Sequence, residues 1–292
     1  MSLIDSMRKR LRRRRARRAE IDRLVERIGH VERLLNEQQM RSLVRDAVAR
    51  SPLLAHGLKV YSQNDEDGLI EAILRRCELT AAGTFVELGV GEGTENNTLN
   101  LLLKGWRGAW LGGEPLAVRP DGHRLRFRQC WIDRDNALSL VREELASLGV
   151  TQPDVVSLDL DGNDYHITEA LLGGGLRPAL WISEYNARFS ADTRWVMPYD
   201  PQHRWQGTDY YGASLAAWCA LFAQVRYRLV CCNANGVNAF FVSEAHAGRF
   251  ADIAEDCATL YMPANFRAFP YAGHPQDLRV IAAALAAAPN KS

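Results

Sequence analysis

The stretch TFVELGVGEG at residues 84–93 constrains the fold of this chain most strongly. Phe85, Val86 and Leu88 make a short apolar run bounded by Gly83 and Gly89, which is typical of a buried strand. Three alternating glycines follow, Gly89, Gly91 and Gly93. Glycine tolerates backbone conformations that a β-carbon opposes, so a ligand can lie close to this main chain. With Glu87 at the end of the strand, the pattern indicates a nucleotide-type ligand at the edge of an open α/β sheet, and a purely structural turn is the alternative.

Apolar segments of strand length alternate with helical segments through most of the chain. This alternation predicts parallel β-α-β units and a doubly wound sheet. The segment 227–244 differs, because two apolar runs surround Asn235-Gly236, which predicts a β-hairpin. The expected architecture is therefore α/β, with five parallel strands closed by an antiparallel pair and an alanine-rich helix at about 277–288. The five strands are predicted near 84–88, 106–111, 125–132, 154–160 and 179–183, and the main helices near 62–77, 97–104, 136–148, 167–172 and 214–223.

The N-terminus is a basic arm. Nine Lys or Arg residues and no acid lie between Arg8 and Arg18, so the rest of the chain is net acidic although the total charge is +1. Such an arm is either a solvated or partner-binding tail or a patch for an anionic membrane surface. Nucleic acid is the least favoured partner, because nothing downstream of the arm calls for it.

A short heptad pattern follows the arm. Its apolar residues step 3-4-3-4 through Ile21, Leu24, Ile28, Val31 and Leu35. Two heptads are fewer than a firm coiled-coil prediction needs. The stripe therefore predicts either self-association into a homo-oligomer or packing on the main domain. The composition changes near Pro52, so the predicted division is an arm and helix at 1–51 and a main domain at 52–292.

The cellular compartment is predicted from the apolar runs, the N-terminus and the cysteines. No apolar run is long enough to span a membrane, and arginines stand where the apolar core of a secretory signal would be. The six cysteines show no CxxC spacing, so we expect them to be reduced core residues with no disulfide and no metal cluster. The expected location is cytoplasmic, with the arm able to bring the protein to the inner face of the membrane.

Seven motifs in this order resemble a known family. They are YSQNDEDG at 61–68, FVELGVGEGTENNT at 85–98, GWRGAWLGGEP at 105–115, DVVSLDLDGNDYH at 154–166, WISEYN at 181–186, GASLAAW at 212–218 and NGVNAFFV at 235–242. Together they resemble the class I S-adenosylmethionine-dependent methyltransferases, in particular the FkbM-type and related sugar O-methyltransferases. The resemblance covers about two-thirds of the chain, near residues 60–245. It implies a Rossmann-like seven-stranded sheet with an antiparallel last strand, and methyl transfer as the chemistry.

The resemblance also implies the residues that bind S-adenosylmethionine. Glu114 ends the second strand and would accept the ribose hydroxyls, although Gly112-Gly113 interrupt the usual pattern and a surface-turn role is the alternative. Asp133 stands at the adenine-edge position, with helix capping as its alternative. The remaining residues of the predicted cofactor site are Glu87, Gly89, Gly91, Gly93, Asn97 and Asp159.

The segment DLDGND predicts a second site. Asp159, Asp161 and Asp164 repel one another unless a cation, a proton or hydrogen-bond donors stabilise them. By resemblance to metal-dependent sugar and catechol O-methyltransferases, a Mg²⁺ held by Asp161, Glu184 and Asn186 would lower the pKa of the attacked hydroxyl.

Three alternatives to this metal site stay open. In the first, Asp159 and Asp161 bind the methionine moiety or order the turn. In the second, Asp161 or Asp164 acts as a metal-free general base. His166 is a further candidate base, and a packing histidine is its alternative.

The loop at 187–211 is rich in Trp, Tyr and Arg, which suit stacking on sugar rings and binding of anionic groups. It is predicted to be a substrate lid, with an apolar cap or a dimer contact as alternatives. The sequence as a whole predicts an O-methyltransferase acting on a sugar or glycan hydroxyl in surface polysaccharide or glycoconjugate biosynthesis. The alternatives are a catalytically silent scaffold in a polysaccharide-assembly complex and a nucleic-acid-binding protein.

Overall fold

The computed structural model describes residues 3–118 and 123–265 and the single positions 278 and 282, with side chains from residue 14 onward. The predicted terminal helix at about 277–288 therefore lies, apart from two helical positions, outside the described residues. The helices are α1 Leu3–Val48, α2 Glu66–Arg76, α3 Leu99–Leu103, α4 Ala137–Ser147, α5 Asp164–Gly173, α6 Leu215–Gln224, α7 Glu244–Ala247 and α8 Cys257–Leu260. The strands are β1 Thr84–Leu88, β2 Arg107–Gly112, β3 Leu125–Gln129, β4 Val155–Leu158, β5 Leu180–Glu184, β6 Tyr227–Cys232 and β7 Asn238–Ser243.

The strands form one seven-stranded sheet in the order β3-β2-β1-β4-β5-β7-β6. The first five strands are parallel, whereas β7 runs antiparallel to both β5 and β6. The turn of the β6–β7 hairpin holds Gly236 at φ 70°, a left-handed conformation that glycine adopts without strain. The sheet predicted from the strand–helix alternation and from the methyltransferase resemblance is thereby confirmed.

Strand β1 lies at the centre of the parallel region. All five of its residues are buried, and it pairs with β2 on one side and β4 on the other. A strand covered on both faces is expected to be continuously apolar, as this one is apart from Thr84 and Glu87. The chain order reverses between β1 and β4, so the segments that follow these strands at their carboxyl ends border one crevice.

Strand β4 ends earlier than predicted, because the chain turns out of the sheet directly after it. Strand β4 stops at Leu158, and α5 already begins at Asp164. The buried Asp164 carboxylate accepts backbone hydrogen bonds from Leu160 (2.7 Å) and Gly162 (2.8 Å). These bonds fold the intervening segment into a tight turn, which accounts for the difference.

The arm and the heptad residues belong to one continuous helix, α1. Its C-terminal part packs on the main domain, where Met40 and Ala47 are buried. The heptad residues are exposed instead, with Leu24 at 48% and Ile28 at 66% of full exposure, so packing of this stripe on the main domain is wrong. The division at residue 52 stays a prediction. Among the described helices, none combines the length and apolarity that a membrane span requires.

The cysteine prediction is wrong in one respect. Cys219 on α6 and Cys257 on α8 form a disulfide, although all six cysteines were expected to be reduced. The pair is 38 residues apart in sequence and meets only because α6 and α8 pack together, which spacing along the chain does not reveal. The other four cysteines are free thiols.

Candidate functional site

The glycine loop after β1 borders a cavity of about 320 Å³. Gly89 adopts φ 93°, and a β-carbon there would lie 1.5 Å from the backbone oxygen of Asp159. A side chain at residue 89 is therefore excluded both by dihedral angle and by space. The predicted residues that line this cavity are Glu87, Gly89, Gly91, Gly93, Asn97 and Asp159, together with Gln63, Glu92, Glu95, Asn96 and Asn238.

Glu87 fixes the position of the loop at this cavity by accepting hydrogen bonds from it. One carboxylate oxygen accepts the backbone N–H of Asn97 (2.9 Å), and the other accepts the backbone N–H (3.1 Å) and the hydroxyl of Thr98. Burial raises the pKa of Glu87, and these hydrogen bonds act in the opposite direction. Glu87 therefore ties the end of β1 to the residues that lead into α3.

Three carboxyl groups meet where β4 and β5 end. Oxygens of Asp159, Asp161 and Glu184 all lie within 4.8 Å of one another. Burial and the neighbouring carboxylates raise the pKa values of Asp159 and Glu184 well above their usual range. The Glu184 Oε2 atom is buried and has no hydrogen-bond partner. This set of hard oxygen donors is the kind that holds Mg²⁺ in proteins.

The backbone at Asp161 is strained. Its φ of 56° lies in the left-handed region, which residues other than glycine rarely adopt. Such strain persists where the surroundings impose it, and it is concentrated at functional sites. Here the Asp164 turn imposes it, and the strain places the Asp161 carboxylate beside the other two carboxyl groups.

A second cavity of about 560 Å³ lies on the other side of these carboxyl groups. Gln63 and Asp159 line both cavities, so the two spaces share a wall. The long loop supplies much of the second lining. Its other lining residues are Asp161, Glu184, Arg188, Trp205, Gly207, Thr208, Asp209, Tyr211 and Val237.

A small cavity of about 90 Å³ lies among the segments that follow β2, β3 and β4. Its walls include Trp131, Ile132 and Leu160, and His203 of the long loop closes it. The His203 Nε2 atom is buried and has no hydrogen-bond partner. The ring lies directly on Gly162, where a β-carbon would be 2.3 Å from Cδ2 of His203. The absence of a side chain at Gly162 therefore allows the His203 ring to lie at this cavity.

The loop that carries His203 is docked onto the segment after β3. The Trp131 indole donates to the Pro201 carbonyl (3.1 Å), and the Arg204 guanidinium lies 4.6 Å from the centre of the same indole. The Tyr199 hydroxyl accepts the backbone N–H of Arg134 (3.2 Å). These contacts fix the middle of the loop over the small cavity.

Two predicted cofactor residues lie away from the cavities. Glu114 is exposed and lines none of the three cavities described above, in keeping with its alternative as a surface-turn residue. Asp133 accepts the backbone N–H groups of Asp135 (2.9 Å) and Asn136 (2.8 Å), and its own N–H donates to the Asn136 side chain. These bonds order the turn that leads into α4, whose N-cap residue is Asn136, so Asp133 acts just before the helix rather than as its cap.

Three residues predicted for catalysis or metal binding are engaged in holding the loop and the turn. Asn186 donates to the carbonyls of Asp209 (2.8 Å) and Tyr211 (3.0 Å), and its side-chain oxygen accepts the Arg188 N–H. Asp159 lies with Asp161 and Glu184 in the carboxylate cluster, whereas the predicted ligand Asn186 uses its side chain to hold the long loop. The His166 Nε2 atom lies 2.8 Å from the carbonyl oxygen of Met197, and Asp164 holds the turn before α5.

Sequence reasoning missed several lining residues. Gln63 lies within a motif that carried the resemblance, but no role was assigned to it. Asn96 and Asn238 line the glycine-loop cavity, and each has a buried side-chain oxygen without a hydrogen-bond partner. His203 lies in the predicted lid, whose predicted role rested on its aromatic and arginine residues. Only the tertiary structure shows which of these polar groups face a cavity.

No protein-family model matches the chain, and no curated protein sequence matches it. Among solved structures, the N-terminal domain of EvdMO1 in the presence of SAH and D-fucose aligns at 15% identity and TM-score 0.38, over 70% of this chain and 95% of that one. EvdMO1 itself aligns at 15% identity and TM-score 0.34, over 70% and 47% of the two chains. MycE methyltransferase from the mycinamycin biosynthetic pathway, in complex with Mg, SAH and mycinamycin VI, aligns at 13% identity and TM-score 0.30, over 63% and 53%. Likeness at these scores transfers neither substrate nor mechanism to this chain.

Proposed function

We propose that this protein is an S-adenosylmethionine-dependent O-methyltransferase that acts on a sugar or glycan hydroxyl. The observation that carries the proposal is the shared wall between the glycine-loop cavity and the second cavity, formed by Gln63 and Asp159. A group-transfer enzyme needs the donor and the acceptor side by side, in line and shielded from water. Two cavities that adjoin at a carboxylate cluster would satisfy this requirement.

The glycine-loop cavity suits the cofactor electrostatically. S-adenosylmethionine carries a sulfonium and an ammonium group, both positive. The cavity offers four acidic side chains, and the unpartnered oxygens of Asn96 and Asn238 add neutral acceptors. The small cavity closed by His203 suits a flat nucleobase, because mainly apolar residues line it and the buried Nε2 atom of His203 has no hydrogen-bond partner.

The carboxylate cluster suits a divalent cation. Asp159, Asp161 and Glu184 would hold Mg²⁺, and the unpartnered Glu184 oxygen supports this assignment. When bound, such a cation lowers the pKa of a coordinated hydroxyl. The protein's own contribution is to fix the three carboxyl groups at the ends of adjacent strands and through the Asp164 turn.

The second cavity suits a sugar acceptor. Trp205 and Tyr211 supply aromatic faces, and Arg188, Thr208 and Asp209 supply hydrogen-bonding groups. Aromatic faces beside polar groups are the surfaces on which sugar rings stack. A hydroxyl placed near Asp159 would lose its proton toward the carboxylate cluster, where burial and the neighbouring carboxylates raise the pKa values of Asp159 and Glu184 and so make both groups stronger bases.

One observation favours a rival function, a binding module that retains the fold without turnover. Glu114, the residue predicted to accept the ribose hydroxyls, lines none of the three cavities. A chain that has lost this contact would hold the cofactor weakly or only as a structural ligand. Cofactor binding without methyl transfer to any glycan acceptor would support this rival.

The proposal is tested by calorimetric titration of S-adenosylmethionine and S-adenosylhomocysteine into the wild type and Glu87→Ala, each with Mg²⁺ and with EDTA. We expect binding to the wild type and its loss in Glu87→Ala, with Glu169→Ala, an exposed position on α5, as the matched control. Absence of binding to the folded wild type would overturn the methyltransferase proposal. Radiolabelled methyl transfer to a panel of sugars and glycans then separates the enzyme from the binding module.

The basic arm supports a further part of the proposal, contact with an anionic membrane surface. Its nine positive charges within residues 8–18 are enough for electrostatic attraction to acidic lipid. Flotation of the full chain with vesicles of acidic lipid, compared with a chain lacking residues 1–20, tests this contact. Equal flotation of both chains would refute it.

A further inference from the structure

An apolar face of α1 has no cover from the described part of the chain. Leu24, Ile21, Val31, Leu35 and Ile28 are exposed at 48%, 51%, 53%, 60% and 66%. Val25 and Leu34 beside them are also exposed, at 63% and 51%. A contiguous stripe of large aliphatic side chains in water is unfavourable, and it marks a surface for a partner. We call residues 21–35 the α1 seam.

We propose that the α1 seam is covered by the same seam of a second copy, in a parallel two-stranded coiled coil. With Ile21 in heptad position a, Ile28 and Leu35 also fall in position a, and Leu24 and Val31 fall in position d. In a parallel pair, each of these positions meets its equivalent in the other copy. Over residues 21–28 the seam has isoleucine at a and leucine at d, the combination that favours two strands over three or four.

Charge complementarity selects the parallel orientation. Arg27 occupies position g and Glu32 the following position e, which face each other across a parallel pair. By symmetry the dimer would contain two such pairs, each joining Arg27 to Glu32 of the partner subunit. An antiparallel pair sets g against g and e against e instead, so Arg27 and Glu32 would not meet across the interface. The other flanking positions 20, 25, 34 and 39 place no like charges opposite each other in the parallel pair.

The chain limits the coiled coil at both ends. Toward the N-terminus the next seam positions are Arg17 and Arg14, so two parallel copies would repel there and separate. Toward the C-terminus the next position is Gln38, and the helix then packs Met40 against its own main domain. A coiled coil of 21–35 is about 22 Å long, at about 1.5 Å per residue. Its dimer would carry both basic arms at one end and both main domains at the other.

Sedimentation equilibrium of the full chain tests the proposal by charge exchange. We expect the wild type to dimerise reversibly and Arg27→Glu and Glu32→Arg each to weaken dimerisation at least tenfold, because each places like charges opposite each other. Mixing the two single variants would restore association, as a heterodimer with two attractive pairs. The double variant Arg27→Glu/Glu32→Arg would also dimerise like the wild type.

The matched control is Arg33→Glu, which makes the same charge change at a position facing away from the seam. It should dimerise like the wild type, and circular dichroism should show equal helix content in all variants. A monomeric wild type, equal weakening by the Arg33→Glu control, or single exchanges that leave dimerisation unchanged would each overturn the proposal. Cofactor binding by the variants stays as in the wild type, so this test is independent of the proposed enzymatic function.

Discussion

The carboxyl groups of Asp159 and Glu184 lie within 4.8 Å of each other, one just after β4 and the other at the end of β5. Residues Val155–Leu158 of β4 pair in register with Leu180–Ser183 of β5, and this pairing fixes where the two acids meet. Desolvation and the repulsion between carboxylates this close both raise the pKa of each group. A divalent cation would relieve the same repulsion, as a proton does, so these oxygens are candidate cation ligands.

Magnesium should therefore stabilise the protein more at high pH than at low pH. The raised pKa values of Asp159 and Glu184 mean that stability contributed by their protonated forms is lost as the pH rises through those values. Below them, protons compete with the ion for the same oxygens. We expect the increase in Tm with Mg²⁺ over EDTA to be larger at alkaline than at acidic pH, as measured by calorimetry.

Neutral variants of the same pair check the assignment. Glu184→Gln and Asp159→Asn should lose the Mg²⁺ response, and in EDTA at high pH they should be at least as stable as the wild type, because the repulsion is removed. Glu169→Gln on the exposed face of α5 is the matched control and should keep the full response. A variant pair that still responds to Mg²⁺ like the wild type would contradict a metal site here.

Glu87→Gln should weaken cofactor binding although it preserves the shape of the side chain. The Glu87 carboxylate accepts three hydrogen bonds from Asn97 and Thr98, and an amide offers only one acceptor oxygen for them. We expect about 1–3 kcal/mol less stability from the unsatisfied donors. S-adenosylhomocysteine affinity should fall more than tenfold in calorimetric titrations. Wild-type affinity in a destabilised Glu87→Gln protein would show that Glu87 supports the fold only.

The sheet was predictable from the sequence because local patterns determine it. Strand β1 is a short and mainly apolar segment between glycines, and the β6–β7 hairpin surrounds an Asn-Gly turn, so each element is indicated by its own local sequence. The heptad of α1 was also visible, but its exposure was not, because exposure depends on what the rest of the chain leaves uncovered. The Cys219–Cys257 disulfide depends in the same way on the packing of α6 against α8.

The candidate site was only partly predictable. The glycine loop and the acids after β4 and β5 follow strands, so their meeting at one edge follows from the topology. Which oxygen points into the cluster depends on hydrogen bonds formed elsewhere. Asn186 is held by the backbone of the long loop, and the Asp164 turn sets the direction of Asp161. Such competition for a side chain leaves no periodic pattern in the sequence.

Asp65→Asn should stabilise the protein in a pH-dependent manner. Burial and the neighbouring Glu66 raise the pKa of Asp65 to about 7. Because the folded pKa lies above the unfolded one, the stability associated with the protonated form is present at low pH and is lost as the pH rises toward 7. An asparagine stays neutral, and its side-chain oxygen can still accept the Ala234 N–H.

The stabilisation by Asp65→Asn should be absent near about pH 4 and approach at most about 4 kcal/mol above about pH 7, since one pKa unit corresponds to about 1.4 kcal/mol. Urea unfolding across this range measures it. Asp46→Asn, at an exposed position of α1, is the control and should show no such trend. A variant that is equally destabilised at every pH would mean that the lost hydrogen bond outweighs the relieved charge.

His203→Ala should weaken binding of S-adenosylhomocysteine without unfolding the protein. The buried Nε2 atom has no protein partner and lies on the small cavity, so a bound nucleobase would supply its hydrogen bond. Loss of one such bond corresponds to about 1 kcal/mol, or about fivefold in affinity.

The added methyl group of Gly162→Ala would lie 2.3 Å from the ring and should displace it, with a similar loss. Because both changes act on one contact, the double variant should bind about as weakly as either single variant rather than showing the sum of their effects. The exposed His56→Ala is the control, and titration with adenosine alone localises the contact to the nucleoside. Wild-type affinity for adenosine in His203→Ala would place the nucleobase elsewhere.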